Sequence, residues 1–107
     1  MAVRDSRAEV RGTVSLPAVV PFSLPHLTRT SYELGTRSIE DEEATLLERW
    51  RHRSDRWALS VFAVTNETVL LRVRTPVGRA RFYGAIRSEL DSAFRSLAAS
   101  SDWRQVD

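Results

Sequence analysis

Hydrophobic positions along the chain change period several times, and each change predicts an element. From Glu9 onward Val10, Gly12, Val14 and Leu16 alternate with Arg11, Thr13 and Ser15, the period of two expected of a strand with one solvated face, and Pro17 ends it. Residues 17–38 contain Pro17, Pro21, Pro25 and Gly35, which favour extended chain over helix. A connection this long in a small domain is functional or packed down, and Val19, Val20, Phe22, Leu24 and Leu27 predict packing. Ser38 then opens what reads as the clearest helix. Ser38-Ile39-Glu40-Asp41 fits the capping pattern, and Ile39, Leu46, Leu47 and Trp50 fall on one stripe. The charges fit the same helix, with Glu40, Asp41, Glu42 and Glu43 at its positive end and Arg49, Arg51 and Arg53 at its negative end.

Residues 57–65 are apolar on both faces and read as a central strand, with Asn66-Glu67 as the turn into a partner strand over 68–74. Residues 75–83 fit either a helix start or a hairpin. Arg79 and Arg81 lie at the wrong end of a helix dipole and Gly84 costs about 1 kcal/mol inside a helix, which favours the hairpin. A four-residue loop, with Gly78 left-handed, sets Val73 opposite Ala80 and Leu71 opposite Phe82 inside, and Arg74 opposite Arg79 and Arg72 opposite Arg81 outside. After Gly84, Ile86, Leu90, Phe94 and Leu97 form the stripe of a final helix ending near Ser100.

The predicted fold is α+β, with a four-stranded, mainly antiparallel sheet and two helices on one face in the order β-α-β-β-β-α. Residues 1–8 read as a disordered arm, 9–99 as one domain and 100–107 as a C-terminal tail. The predicted core comprises Leu46, Leu47, Trp50, Leu59, Val61, Leu71, Phe82, Leu90 and Phe94. The central α-β-β-β-α order resembles that of a double-stranded-RNA-binding domain in topology. The lysine-rich segment that opens the second helix in that family is replaced here by Gly84-Ala85-Ile86-Arg87.

With 107 residues the chain has room for one core. It has no cysteine, which excludes disulfides, thiolate metal sites and a cysteine nucleophile. All 16 basic residues are arginine, yet the formal net charge is only +2, so arginine abundance does not by itself imply a polyanion partner. The apolar stretch 16–27 is interrupted by prolines and far shorter than the ~20 residues of a membrane span, and no apolar segment follows Arg4, Asp5, Arg7 and Glu9 as a signal peptide requires. A cytoplasmic location is the resulting expectation.

His26 and His52 are the only histidines and neither belongs to a catalytic motif. Glu40 and Glu43 lie one turn apart, but a hard cation needs about six oxygen ligands and no second acidic cluster is spaced to complete a shell. No catalytic residue, cofactor site or metal site is therefore assigned.

The group Arg72, Arg74, Arg79 and Arg81 is the one arrangement that local structure leaves unexplained, because like charges opposite one another weaken a strand pair. Either these arginines guard a sheet edge against aggregation or they contact anions such as nucleic-acid phosphates. The resulting expectation is a non-enzymatic protein-interaction domain, homodimeric through the sheet face that the helices leave open. The alternative is a nucleic-acid-binding module that uses the arginine hairpin.

Overall fold

The computed structural model describes residues 14–41 and 44–106. In chain order they form strand β1 (Thr28–Thr30), helix α1 (Tyr32–Glu40), and strands β2 (Thr45–His52), β3 (Ala58–Ala63), β4 (Thr68–Arg74) and β5 (Ala80–Ile86). A 3-10 turn at Arg87–Glu89, helix α2 (Leu90–Ala99) and strand β6 (Trp103–Val106) follow. The class is α+β as expected, but the antiparallel sheet has six strands rather than four, in the order β1-β5-β4-β3-β2-β6.

The two helices lie on opposite faces of this sheet, not on one. Leu59, Val61, Leu71, Val73 and Tyr83 alternate onto the face where Leu90, Ala93 and Leu97 of α2 join them, together with Val20, Leu24 and Leu27 of the proline-rich connection. Phe62, Leu70 and Phe82 point the other way and meet Ile39 of α1 and Ala44. Topology explains the division. The β1-to-β2 and β5-to-β6 connections both traverse the sheet from one side to the other, and one on each face gives each helix its own apolar ground. Of the predicted core, Trp50, Leu59, Val61, Leu71, Phe82 and Leu90 are buried, Leu47 and Phe94 are half-buried, and Leu46 is exposed.

The predicted helix from Ser38 is the largest correction. Ser38 lies near the end of α1, whose N-cap is Ser31, with Ser31 Oγ accepting a hydrogen bond from Leu34 N at 3.2 Å. Residues 45–52 are strand. A β-bulge disguises them: Leu46 pairs with Phe62 and Glu48 with Val61, so Leu47 is an extra residue. That insertion spaces Leu47 and Trp50 three apart and imitates a helical stripe. Glu40 and Asp41 consequently sit at the C-terminal end of a helix, where the dipole does not favour them. With an additional strand after α1, the order no longer matches the three-strand centre of the double-stranded-RNA-binding topology.

Of the strand expected over 10–16, positions 10–13 lie outside the described residues, and Val14 and Leu16 pack irregularly against the main core. The proline-rich connection packs down as expected. The expected tail instead carries β6. Its Trp103 is buried, donates Nε1 to Val19 O at 3.1 Å and meets the His52 ring edge-on.

The β4-β5 loop is one residue longer than expected and spans 75–79. Thr75 N donates to Arg79 O at 2.8 Å, and Gly78 adopts φ 87°, the left-handed conformation glycine permits. Arg74 therefore pairs with Ala80, Val73 with Arg81 and Leu71 with Tyr83. The shift turns every β5 side chain to the opposite face. Because both faces are covered along β5, Phe82 and Tyr83 are buried either way and their order does not betray the register. The strand also continues through Gly84 to Ile86.

Candidate anion-binding face

α1 packs over β5, β4 and the Phe62 end of β3, and leaves open a hollow formed by Ala58 and Ser60 of β3 with β2, β4 and β6. There the register builds a trough along β3. Ala58 has Arg51 of β2 as its partner on one side and Arg74 of β4 on the other, while Ser60 is flanked in the same way by Arg49 and Arg72. Small side chains on β3 form the floor and arginines on the two neighbouring strands form the walls. Arg104 of β6 pairs with Arg51 and extends the outer wall. The resulting hollow, of about 310 Å³, is lined by Arg49, Arg51, Arg72, Arg74 and Arg104, the floor residues, Val106 and the otherwise buried Trp50.

Arg72 is the most constrained member. Its Nη2 donates to Ser60 Oγ at 3.3 Å, its guanidinium lies 5.4 Å from the centroid of the Phe62 ring, and Ser60 is itself buried. Burial holds the Arg72 guanidinium below its ordinary pKa, and the positive charges of Arg74 and Arg49 add to the effect. Among the described residues no carboxylate forms an ion pair with Arg51, Arg72, Arg74 or Arg104. Glu40 lies in the adjoining hollow with Arg72, Arg74 and Tyr32. Arginine, with its planar fork of donors and permanent charge, suits such a surface for holding carboxylate or phosphate oxygens in pairs.

The structure brings together two of the four arginines singled out in the sequence. Arg72 and Arg74 face the trough, whereas Arg79 lies in the β4-β5 loop and Arg81, paired with Val73, points to the opposite face. Edge protection does not account for Arg72 and Arg74, because β4 is bonded to β3 and β5 on its two sides, and among the described residues the sheet edges are β1 and β6. Arg49, Arg51 and Arg104 were hidden by the helical reading of 38–53 and by treating 100–107 as a tail. The signal that reveals them is period two: Arg49 and Arg51 alternate with Trp50 and His52.

The histidines lie elsewhere. His26 Nδ1 is 2.6 Å from Glu89 Oε2, joining the proline-rich connection to the start of α2, while His52 Nδ1 accepts from Ser54 N and its ring packs on Trp103. Among the described residues no three His, Asp or Glu side chains converge as metal ligands, and Glu43 lies outside those residues. No helix among them is long and apolar enough to cross a membrane. Comparison with models of known protein families, with curated proteins and with solved structures found no match.

Proposed function

We propose that this protein is a non-enzymatic binding domain that holds an anionic macromolecule against the arginine-lined face of its sheet. The observation that carries this reading is the trough itself, with Arg49 and Arg51 on β2 facing Arg72 and Arg74 on β4 across Ala58 and Ser60. Arginines paired directly on adjacent strands, as Arg51 and Arg104 are, oppose folding, and those on β2 and β4 add a weaker repulsion across β3. A surface that retains such a cluster beside a small-residue floor is best explained by an anion that neutralises it when bound. Arg72 is additionally aimed by its hydrogen bond to Ser60 and its contact with Phe62, so part of the site is preorganised.

The same charges oppose a symmetric dimer across this face, since two copies would bring two arginine fields together. A heterologous partner of opposite sign fits better than self-pairing.

Titration of the protein into fluorescently labelled polyglutamate and a labelled mixed-sequence single-stranded oligonucleotide, at low and moderate salt, tests the reading. Binding to at least one polyanion is expected, weakening steeply with salt and lost in the double variant Arg51→Thr, Arg74→Thr. Failure to bind either at low salt, or unchanged binding by the variant, overturns it.

A further inference from the structure

We infer that the occupant of the trough is an extended, acidic segment of a protein, a run of about four consecutive Asp or Glu residues lying along β3. The inference rests on the anion-binding reading and adds the chemistry and conformation of the partner.

The dimensions come from sheet geometry. Walls on β2 and β4 stand two strand spacings apart, ~10 Å, and the two arginines of each wall are two residues apart, ~7 Å along the strand. A single extended chain fits between such walls, whereas a duplex, whose major groove alone is ~12 Å wide, does not. An extended peptide repeats its side chains on each side every two residues, the same ~7 Å. Laid along Ala58 and Ser60, four consecutive acids would present the first and third to one wall and the second and fourth to the other. Arg49 and Arg51 would receive one pair and Arg72 and Arg74 the other. A helix places its same-face residues three or four apart and cannot match both walls at once.

Single-stranded nucleic acid fits the face less well. Binders of that kind supply aromatic platforms on which successive bases stack. Here Phe62 and Phe82 are buried at 6% and 4% exposure, and the exposed Tyr32 in the adjoining hollow is engaged edge-on with Phe82 at 5.8 Å. The face offers charge and forked donors for carboxylates but no successive rings for bases. A second copy of this chain also carries an acidic run, Glu40-Asp41-Glu42-Glu43, and is the competing source of the same chemistry.

Fluorescence anisotropy with three labelled probes of equal net charge decides between these occupants. One is a peptide with four consecutive Glu flanked by Gly and Ser, the second carries the same four Glu separated by three residues each, and the third is a short mixed-sequence single-stranded oligonucleotide. The consecutive peptide should bind at least tenfold more tightly than the spaced peptide and more tightly than the oligonucleotide. Arg51→Thr with Arg74→Thr should remove that preference, and circular dichroism of the double variant should match that of the wild type. Equal binding of the two peptides overturns the extended fit, and tighter binding of the oligonucleotide overturns the partner class while leaving anion binding intact. Loss of binding to all three probes sinks both readings. Concentration-dependent self-association in light scattering that the consecutive peptide dissolves makes a second copy the occupant and overturns a heterologous partner.

Discussion

Replacing Arg51 by Thr isolates the electrostatic cost that the trough imposes on the folded state. Arg51 is paired directly with Arg104 on β6 and lies across Ala58 from Arg74, so its substitution removes two like-charge contacts at once. With separations of ~5 Å for a direct cross-strand neighbour and ~10 Å across one intervening strand, Coulomb's law in water gives ~0.8 and ~0.4 kcal/mol. Guanidinium groups at the ends of long side chains splay apart, which makes ~1 kcal/mol the upper bound. Thr suits an exposed strand position, although the loss of the aliphatic arginine stem offsets part of the gain. The repulsion is screened, because the Debye length shrinks from ~30 Å at 0.01 M salt to ~3 Å at 1 M. Urea, being uncharged, permits the measurement across that range. The variant should be more stable than wild type by up to ~1 kcal/mol near 0.01 M NaCl, with the difference shrinking towards zero or reversing slightly by 1 M. A difference independent of salt, or a variant less stable than the wild type at low salt, refutes the claim that the arginines repel one another across the trough.

Other expectations concern the elements that build the site. Ser31→Ala should lower stability by about 0.5 to 2 kcal/mol through loss of the α1 cap, whereas Ser38→Ala should change it by less than about 0.5 kcal/mol; urea midpoints of the two variants distinguish the observed helix from one starting at Ser38. Gly35→Ala should destabilise despite the better helix propensity of alanine, because the new Cβ would run into the Phe82 ring, and overpacking of up to about 3 kcal/mol outweighs a propensity gain of about 1 kcal/mol. A rise in melting temperature would show that α1 does not press on β5 there. Trp103→Ala should cost about 3 to 5 kcal/mol by emptying a buried site and orphaning Val19 O, and a neutral thermal melt would mean that β6 is not part of the folded sheet.

Legibility in the sequence followed the strength of each local signal. Strand β4 was read with its observed bounds and β3 nearly so, because apolar runs rich in β-branched residues flank a short polar turn at Asn66-Glu67. The final helix was legible from Leu90 onward, but Ile86 of its expected stripe belongs to β5 and Phe94 is only half-buried. Segment 38–53 was not, since one inserted residue at Leu47 converts a strand's period into a helix's, and the Ser38 pattern reinforced the error. The trough suffered for the same reason. Period two is visible at Arg72 and Arg74, but the matching wall at Arg49 and Arg51 emerges only once β2 is a strand, and their approach across Ala58 and Ser60 depends on long-range register. No local pattern encodes that register.

On the function proposed above, the trough, rather than arginine content at large, binds acidic partners. The most direct measurement is an NMR titration of uniformly 15N-labelled protein with the consecutive-Glu peptide, following the arginine Nε–Hε signals. Arg49, Arg51, Arg72, Arg74 and Arg104 should shift together and saturate with one affinity, while Arg79, in the β4-β5 loop and not among the trough residues, and Arg81, on the opposite face, stay in place. Shifts at Arg79 and Arg81 equal to those of the trough, or a uniform drift across all 16 arginines, would contradict it.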